Sequence, residues 1–258
     1  MKLKTPFVSI ALIIVAMLFC QIKANATWSI IILDAKTKTV GVAGASCTFE
    51  VSGIAKIITG KGAIIAQAYS DDGITNRGLE LLRKNATPLE ILKVLQDKDF
   101  DKEVAFRQYG IVTFEHYDNP VVFTGDSISY YPYAATATSP GISVQGNTLA
   151  DKKVVEEVHK AVLEGRKKNL SLEELLMMAL EVGSKYGGDR RCGVQTATTA
   201  FIQIVRPKDT YCSSLMLRTG GIKTGGPNAT KVIRNELNKL KKELANNKCT
   251  EVAIFPKD

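Results

Sequence analysis

A leader that marks its own removal constrains this 258-residue chain more than any other feature, because it decides which residue stands first in the folded protein. Met1 to Ala26 has a basic start at Lys2 and Lys4, an apolar run from Phe7 to Phe19, and the small-x-small ending Ala24-Asn25-Ala26. That pattern reads as a secretory signal peptide over 1–26, and it places the mature protein outside the cytoplasm, in a periplasmic or extracellular compartment. Cleavage leaves Thr27 in front. An N-terminal threonine carries a hydroxyl and a free α-amine on one residue, and the amine, with an ordinary pKa of roughly 7.7–8.0, is a base suited to neutral pH. Nucleophile and base are then both in place. A rival route is lipidation at Cys20, against which the bulky Phe19 argues. It would bury Thr27 inside the chain as an ordinary strand residue.

Composition bounds the mature chain. Hydrophobic content of 45% and charged content of 23% are ordinary for a globular protein. Past the leader there is no apolar run of membrane-spanning length, so the mature chain is expected to have no transmembrane segment. The length after Ala26 suits one domain over 27–258. The formal charge of +8 falls to +5 without the leader lysines Lys2, Lys4 and Lys23, and most of it lies between Lys231 and Lys248. A charged helix face accounts for that segment. No basic motif interleaved with aromatics points to nucleic acid as a partner.

Four cysteines remain after the leader: Cys47, Cys192, Cys212 and Cys249. An even count in an exported chain permits two disulfides in any of three pairings. The expected pairs are Cys47–Cys192, which would staple the strand beside the N-terminus to a polar loop, and Cys212–Cys249, which would tie the last helix to the preceding strand.

Along the chain, strands come first and helix pairs then alternate with strands. Trp28 to Leu33 and Val40 to Ala45 read as a hairpin around Asp34-Ala35-Lys36-Thr37, and Ala63 to Ala68 as a third strand. Two helices follow, the second opened by the capping box Thr87-Pro88-Leu89-Glu90, with Leu89, Leu92 and Leu95 on one face. Strands are expected at Gln108 to Phe114 and Val121 to Thr124, and helices over Ala150 to Lys167 and Ser171 to Tyr186. The first of these helices has Val154, Val158 and Val162 in line, and the second starts on a further capping box, Ser171 to Glu174. Gln195 to Val205 and Ser213 to Leu217 read as strands, Gly220 to Pro227 as a loop, and the C-terminal part as an amphipathic helix striped by Ile233, Leu237, Leu240 and Leu244. Strand runs between helix pairs fit an α+β fold with two packed sheets flanked by helices, a four-layer sandwich, with a two-layer α+β arrangement as the alternative.

An ordered set of short motifs resembles one family. Thr27-Trp28-Ser29-Ile30-Ile31, Gly41 to Ser46, Gln67-Ala68-Tyr69 leading to Gly78-Leu79-Glu80-Leu81-Leu82, Arg107-Gln108, Thr124-Gly125, Gln145-Gly146-Asn147 and Gly187 to Arg191 are similar to the domain of unknown function 1028, within the N-terminal-nucleophile (Ntn) hydrolases. The resemblance covers Thr27 to about Val205, leaving 207–258 as an appended strand and basic helix. It implies an αββα sandwich and, by superfamily analogy, hydrolysis of an amide bond. It implies no particular substrate.

Histidine-dependent catalysis has little to work with, since the chain holds only His116, in an expected turn, and His159, on an amphipathic helix. Neither stands at metal-ligand spacing, so no metal is expected, and no motif calls for a cofactor. The Gly220 to Gly226 loop lacks the order of a phosphate-binding loop. Thr27 is therefore the candidate nucleophile. Gly146 and Asn147 are candidate oxyanion donors, and equally a helix-capping turn. Asp189 is a candidate partner for the α-ammonium and Arg191 for a substrate carboxylate, and equally they form a loop ion pair. Ser46 and Gln67 orient the amine or make structural hydrogen bonds. Tyr130, Tyr131 and Tyr133 line a pocket or pack at a loop. The expected activity is an exported Ntn-type amidohydrolase acting on a small amide or peptide, with a homo-oligomer left open. The alternative is a non-catalytic exported binding protein on the same scaffold.

Overall fold

The computed structural model describes residues 27–129, 133–208 and 215–245. The leader, Cys20, Tyr130, Tyr131, Cys212 and Cys249 lie outside the described residues, as does the side chain of Leu244.

The hairpin forms where the isoleucine and valine runs place it. β1 (Thr27–Asp34) and β2 (Thr39–Ser46) pair antiparallel from Thr27 opposite Ser46 to Asp34 opposite Thr39. The Asp34 carboxylate closes the turn by accepting from the Lys36 N–H at 2.9 Å and the Thr37 hydroxyl at 2.8 Å. Then come β3 (Ala55–Ile58), β4 (Gly62–Ala68), α1 (Asp72–Arg83), α2 (Pro88–Leu95), β5 (Arg107–Thr113), β6 (Val121–Thr124), β7 (Ala135–Ser139), β8 (Ile142–Asn147), α3 (Lys153–Lys167), α4 (Leu172–Lys185), β9 (Thr199–Val205), β10 (Leu215–Thr219) and α5 (Ala229–Ala245). Among the described residues all strand pairings are antiparallel, in a six-stranded sheet of order β10-β9-β2-β1-β8-β7 and a four-stranded sheet of order β3-β4-β5-β6. The class is α+β.

Caps fix the helix starts. Thr87 and Glu90 make a reciprocal capping box at α2, with Pro88 in its first turn. Its buried face is Ile91, Leu92 and Leu95, whereas Leu89 is 53% exposed, a correction to the expected stripe. At α4 the box is only half made: Ser171 accepts from the Glu174 N–H, but the Glu174 carboxylate is turned to Arg234 and Lys241 on α5.

The period-two alternation of β1 sorts the core. Trp28, Ile30 and Ile32 share a cluster with Ala43, Ala45, Val144 and Ile202 of the same sheet and with Val154, Val158, Leu176, Leu180, Ile233 and Leu237 of α3, α4 and α5. The alternate residues Ile31 and Leu33 join Val40, Val42 and Phe201 with Ala63, Ile65 and Val112 of the smaller sheet. A third cluster sets Ile64, Ala66, Tyr109 and Ile111 against Ile74, Leu82, Ile91 and Leu95 of α1 and α2. At Gly183 of α4 an added Cβ would lie 2.2 Å from Trp28 Nε1, so only a residue without a side chain lets the helix cross this indole. Trp28 thereby fixes the residue beside it, Thr27.

Two further expectations are corrected. Gly146-Asn147 is not a helix-capping turn: both residues end β8, and α3 begins only at Lys153. The strand expected from Gln195 starts at Thr199, because 190–195 is a 3-10 segment that ends on Thr196 in the left-handed region.

Candidate functional site

Backbone register sets a polar row across the large sheet. Thr27 pairs with Ser46 on one side and Asn147 on the other, and Ser46 pairs in turn with Thr199. Directly paired residues project to the same face, so these four side chains stand side by side. One step inward, Ser29 pairs with Gln145. This is the face that carries Ile31 and Leu33 further along β1, so the space between the sheets changes from apolar to polar toward Thr27. The smaller sheet answers with Gln67 opposite Gln108. Thr27, Ser29, Ser46, Gln67, Gln108, Gln145 and Asn147 are all at most 2% exposed.

Burying so many amides and hydroxyls is costly unless they pair. Gln67 Nε2 donates to Thr27 O at 3.3 Å and to Gln108 Oε1 at 2.7 Å. Gln108 Nε2 donates to Gly146 O at 3.0 Å and to the Thr124 hydroxyl at 2.9 Å, and Asn147 Nδ2 donates to Gln108 Oε1 at 3.2 Å. Ser29 Oγ donates to Gln67 Oε1 at 2.5 Å and accepts from Gln145 Nε2 at 2.7 Å. The backbone oxygens of Thr27 and Gly146 can only accept, so both glutamines must turn Nε2 toward them. The other amide orientations of the network are set by these two. At Gly110 of β5 a Cβ would sit 2.3 Å from Gln145 Oε1, and glycine there makes room for the network.

The hydroxyl of Thr27 lies 3.4 Å from Ser46 Oγ, which also receives the Thr48 hydroxyl at 3.2 Å and Arg191 Nη2 at 3.5 Å. Arg191 is held by Asp189, whose wholly buried carboxylate accepts from Arg191 Nη2 at 2.7 Å, Arg191 Nε at 3.1 Å and the Cys47 N–H at 2.6 Å. A disulfide joins Cys47 to Cys192 with a Cα separation of 5.7 Å, binding the end of β2 to the segment that follows Asp189. The expected site residues thus fall into two groups around Thr27: Gln67, Gly146 and Asn147 on the amide side, Ser46, Asp189 and Arg191 on the charged side. Asp189 gives its carboxylate to Arg191 and to Cys47. Gly146 is enclosed between β1 and β7, so its N–H is directed along the sheet.

Three of the seven non-glycine residues with positive φ among the described residues adjoin the site. Ala68, after Gln67, has φ +74°, and Thr148, after Asn147, has φ +50°. Thr196, with φ +63°, accepts from the Asp189 N–H. Left-handed conformations of residues other than glycine persist where the surroundings over-determine them, and they concentrate at functional sites.

A buried ion pair braces the same end of the smaller sheet. Arg107 Nε donates to Asp101 Oδ2 at 2.9 Å and Nη2 to Oδ1 at 3.0 Å, and the guanidinium also lies 5.0 Å from the Tyr69 ring centroid. Burial alone would push the Asp101 carboxyl up, but the bonds from Arg107 and the Glu103 N–H outweigh it and hold the group below its ordinary value. Burial pushes the neighbouring Tyr109 phenol up.

The histidines lie elsewhere. His159 Nε2 is 2.8 Å from Ser139 Oγ, linking α3 to β7, and burial lowers its pKa. His116 lines two cavities, of about 720 Å³ beside Ser139 and Pro140 and about 200 Å³ beside Lys61 and Thr113, at the end of the strands remote from Thr27. The Gly220 to Pro227 loop is laced to Gln195, which donates to Lys223 O and Pro227 O and accepts from the Gly225 N–H. Among the described residues no group of three or more His, Cys, Asp or Glu has a metal-holding arrangement, and no helix is long and apolar enough to cross a membrane.

Sequence reasoning assigned no site role to Ser29, Gln108 or Gln145. The available signal was a polar side chain in the inward phase of an otherwise apolar strand, as Gln108 is between Arg107 and Tyr109-Gly110-Ile111.

The model of a family of unknown function, DUF1028, matches residues 27–220, beyond the Val205 limit of the recognised motifs. The fold is similar to the crystal structure of a DUF1028 protein from Silicibacter pomeroyi, with a TM-score of 0.69 and 20% identity over 84% of this chain and 89% of that one. At that identity the likeness bears on the fold alone. No curated protein matches the sequence.

Proposed function

The chain belongs to the DUF1028 family, and on the site built around Thr27 we propose that it is an exported amidohydrolase of the N-terminal-nucleophile type. In this reading the two sheets and their covering helices are a four-layer αββα sandwich, and cleavage after Ala26 makes Thr27 the first residue. The observation that carries it is the position of Thr27 at the start of a central strand, between Ser46 and Asn147, in a buried cluster of polar side chains that includes no histidine. The family match that begins at residue 27 supports the cleavage point. The Cys47–Cys192 disulfide supports an oxidising compartment.

Thr27 Oγ1 attacks the amide carbonyl carbon of the substrate and gives its proton to the α-amine. The amine passes that proton to the leaving nitrogen as the C–N bond breaks, which leaves an ester on Thr27. Water, deprotonated by the same amine, then attacks the ester carbonyl, and the amine returns that proton to Thr27 Oγ1 as the C–O bond breaks and the acid leaves. In this reading the second N–H of the Asn147 amide and the Arg191 guanidinium donate to the developing oxyanion or to a substrate carboxylate. Substrates are small amides or peptides.

A panel of N-acyl and peptide amides assayed with the exported protein tests this. Thr27→Ala is expected to abolish turnover while the unfolding midpoint stays near that of the wild type, and Thr27→Ser to keep part of it. Saturable binding with no turnover in any of the three proteins would instead favour a binding protein on this scaffold.

A further inference from the structure

The amide of Asn147 has one end in use and one end bare. Its Nδ2 is fixed on Gln108 Oε1, an orientation dictated in turn by the Gly146 carbonyl, while its Oδ1 is buried and without a hydrogen-bond partner in a residue that is 0% exposed. A native structure keeps few such atoms, and each calls for a donor.

The ladder between β1 and β8 sets one nitrogen directly across from Asn147. In antiparallel pairs hydrogen-bonded and non-hydrogen-bonded positions alternate. Leu33 N donates to Gly141 O at 2.8 Å, and the pair Thr27–Asn147 lies an even number of steps away in the same register. The Thr27 nitrogen is therefore turned toward β8 and Asn147. While it is a peptide nitrogen it has a single hydrogen, which the ladder takes. Cleavage before Thr27 turns it into an amine with further hydrogens, on the residue that stands directly opposite Asn147 and shares its face of the sheet.

We infer that Asn147 is a positioning residue for the α-amine, its Oδ1 accepting an N–H that exists only after the leader has been removed. This rests on the reading of Thr27 as the mature N-terminus. With one hydrogen on the strand backbone and another on Asn147 Oδ1, the neutral amine keeps its lone pair for the Thr27 hydroxyl. Of the charged groups at this end of the sheets Asp189 pairs with Arg191 and Asp101 with Arg107, Asp71 caps α1, and Gln67, Gln108 and Asn147 are neutral. A neutral acceptor holds the amine without fixing it as the ammonium, which a carboxylate in that place would do.

The test is a titration of the Thr27 α-amine by its ¹⁵N chemical shift in protein cut before Thr27, made alongside turnover so that the two readings are separated. A hydrogen bond to the charged form raises a pKa, so Asn147→Ala is expected to lower that of the amine by about half a unit or more, and Asn147→Asp to raise it by about a unit or more. Asn147→Asp keeps the side-chain shape but sets an oxygen against Gln108 Oε1, so the alanine variant carries the test alone if the aspartate variant does not fold. An amine that titrates in a folded Asn147 variant as it does in the wild type would overturn the inference, whatever the turnover. Absent turnover with a responsive amine would overturn the hydrolase reading and leave this inference standing.

Discussion

Asp189 accepts the backbone N–H of Cys47 at 2.6 Å, so a carboxylate from the loop before β9 holds the end of β2 while it also carries Arg191. The disulfide from Cys47 to Cys192 clamps the same two segments covalently. Ser46, which faces the Thr27 hydroxyl, stands between these restraints.

The bond network makes Asp189 sensitive to loss of charge. Asp189→Asn keeps the shape but weakens the grip on Arg191, whose side chain is 31% exposed and can still be solvated. A loss of about 2 kcal/mol is expected in urea unfolding, less than for a fully buried pair. An unchanged midpoint would mean that the carboxylate contributes nothing the disulfide does not already supply.

Gln108 serves two sheets at once, and neither an apolar nor an acidic replacement restores its bonds. Gln108→Leu takes one hydrogen-bond partner each from Gln67 Nε2, Asn147 Nδ2 and Gly146 O, and a cost of about 2–4 kcal/mol is expected. Gln108→Glu sets an acceptor against Gly146 O and is expected to fare no better. Near-wild-type stability of either variant, measured by chemical denaturation, would show that the network is only packing.

The sequence made the elements legible wherever apolar period and cap chemistry agreed. The β1–β2 hairpin, the capping box at Thr87 and the valine stripe of α3 are such places. It failed at β8, Ile142-Ser143-Val144-Gln145-Gly146-Asn147, since the face turned to the other sheet is polar and leaves no apolar run to recognise. β7, with its alternating Ala and Thr, lacks the bulk that marks a strand, and β3, with four residues, lacks the length. The site was legible as a list of residues but not as a network. Gln108 and Gln145 gain their meaning from pairing between strands far apart in sequence, and the commitment of Asp189 to Arg191 and Cys47 comes from a loop fold that no local pattern encodes.

Acid should reveal the buried pair of Asp101 and Arg107. The carboxyl is held below its ordinary value in the folded protein, so its contribution is fully present above the ordinary carboxylate range, about pH 4, and is lost as pH falls through the folded value. Unfolding midpoints measured from neutral pH down to about pH 2 should fall more steeply for the wild type than for Asp101→Asn, which starts lower. Parallel curves would show that Asp101 does not couple folding to protonation.

The most direct measurement of the Thr27 account compares turnover of one amide substrate by protein that starts at Thr27 and by protein that keeps a single methionine before it. The extension leaves the hydroxyl in place and converts the amine into a non-basic peptide nitrogen. The account predicts turnover by the first form and none by the second, with both forms unfolding at closely similar denaturant concentrations. Equal turnover by the two forms would contradict N-terminal catalysis.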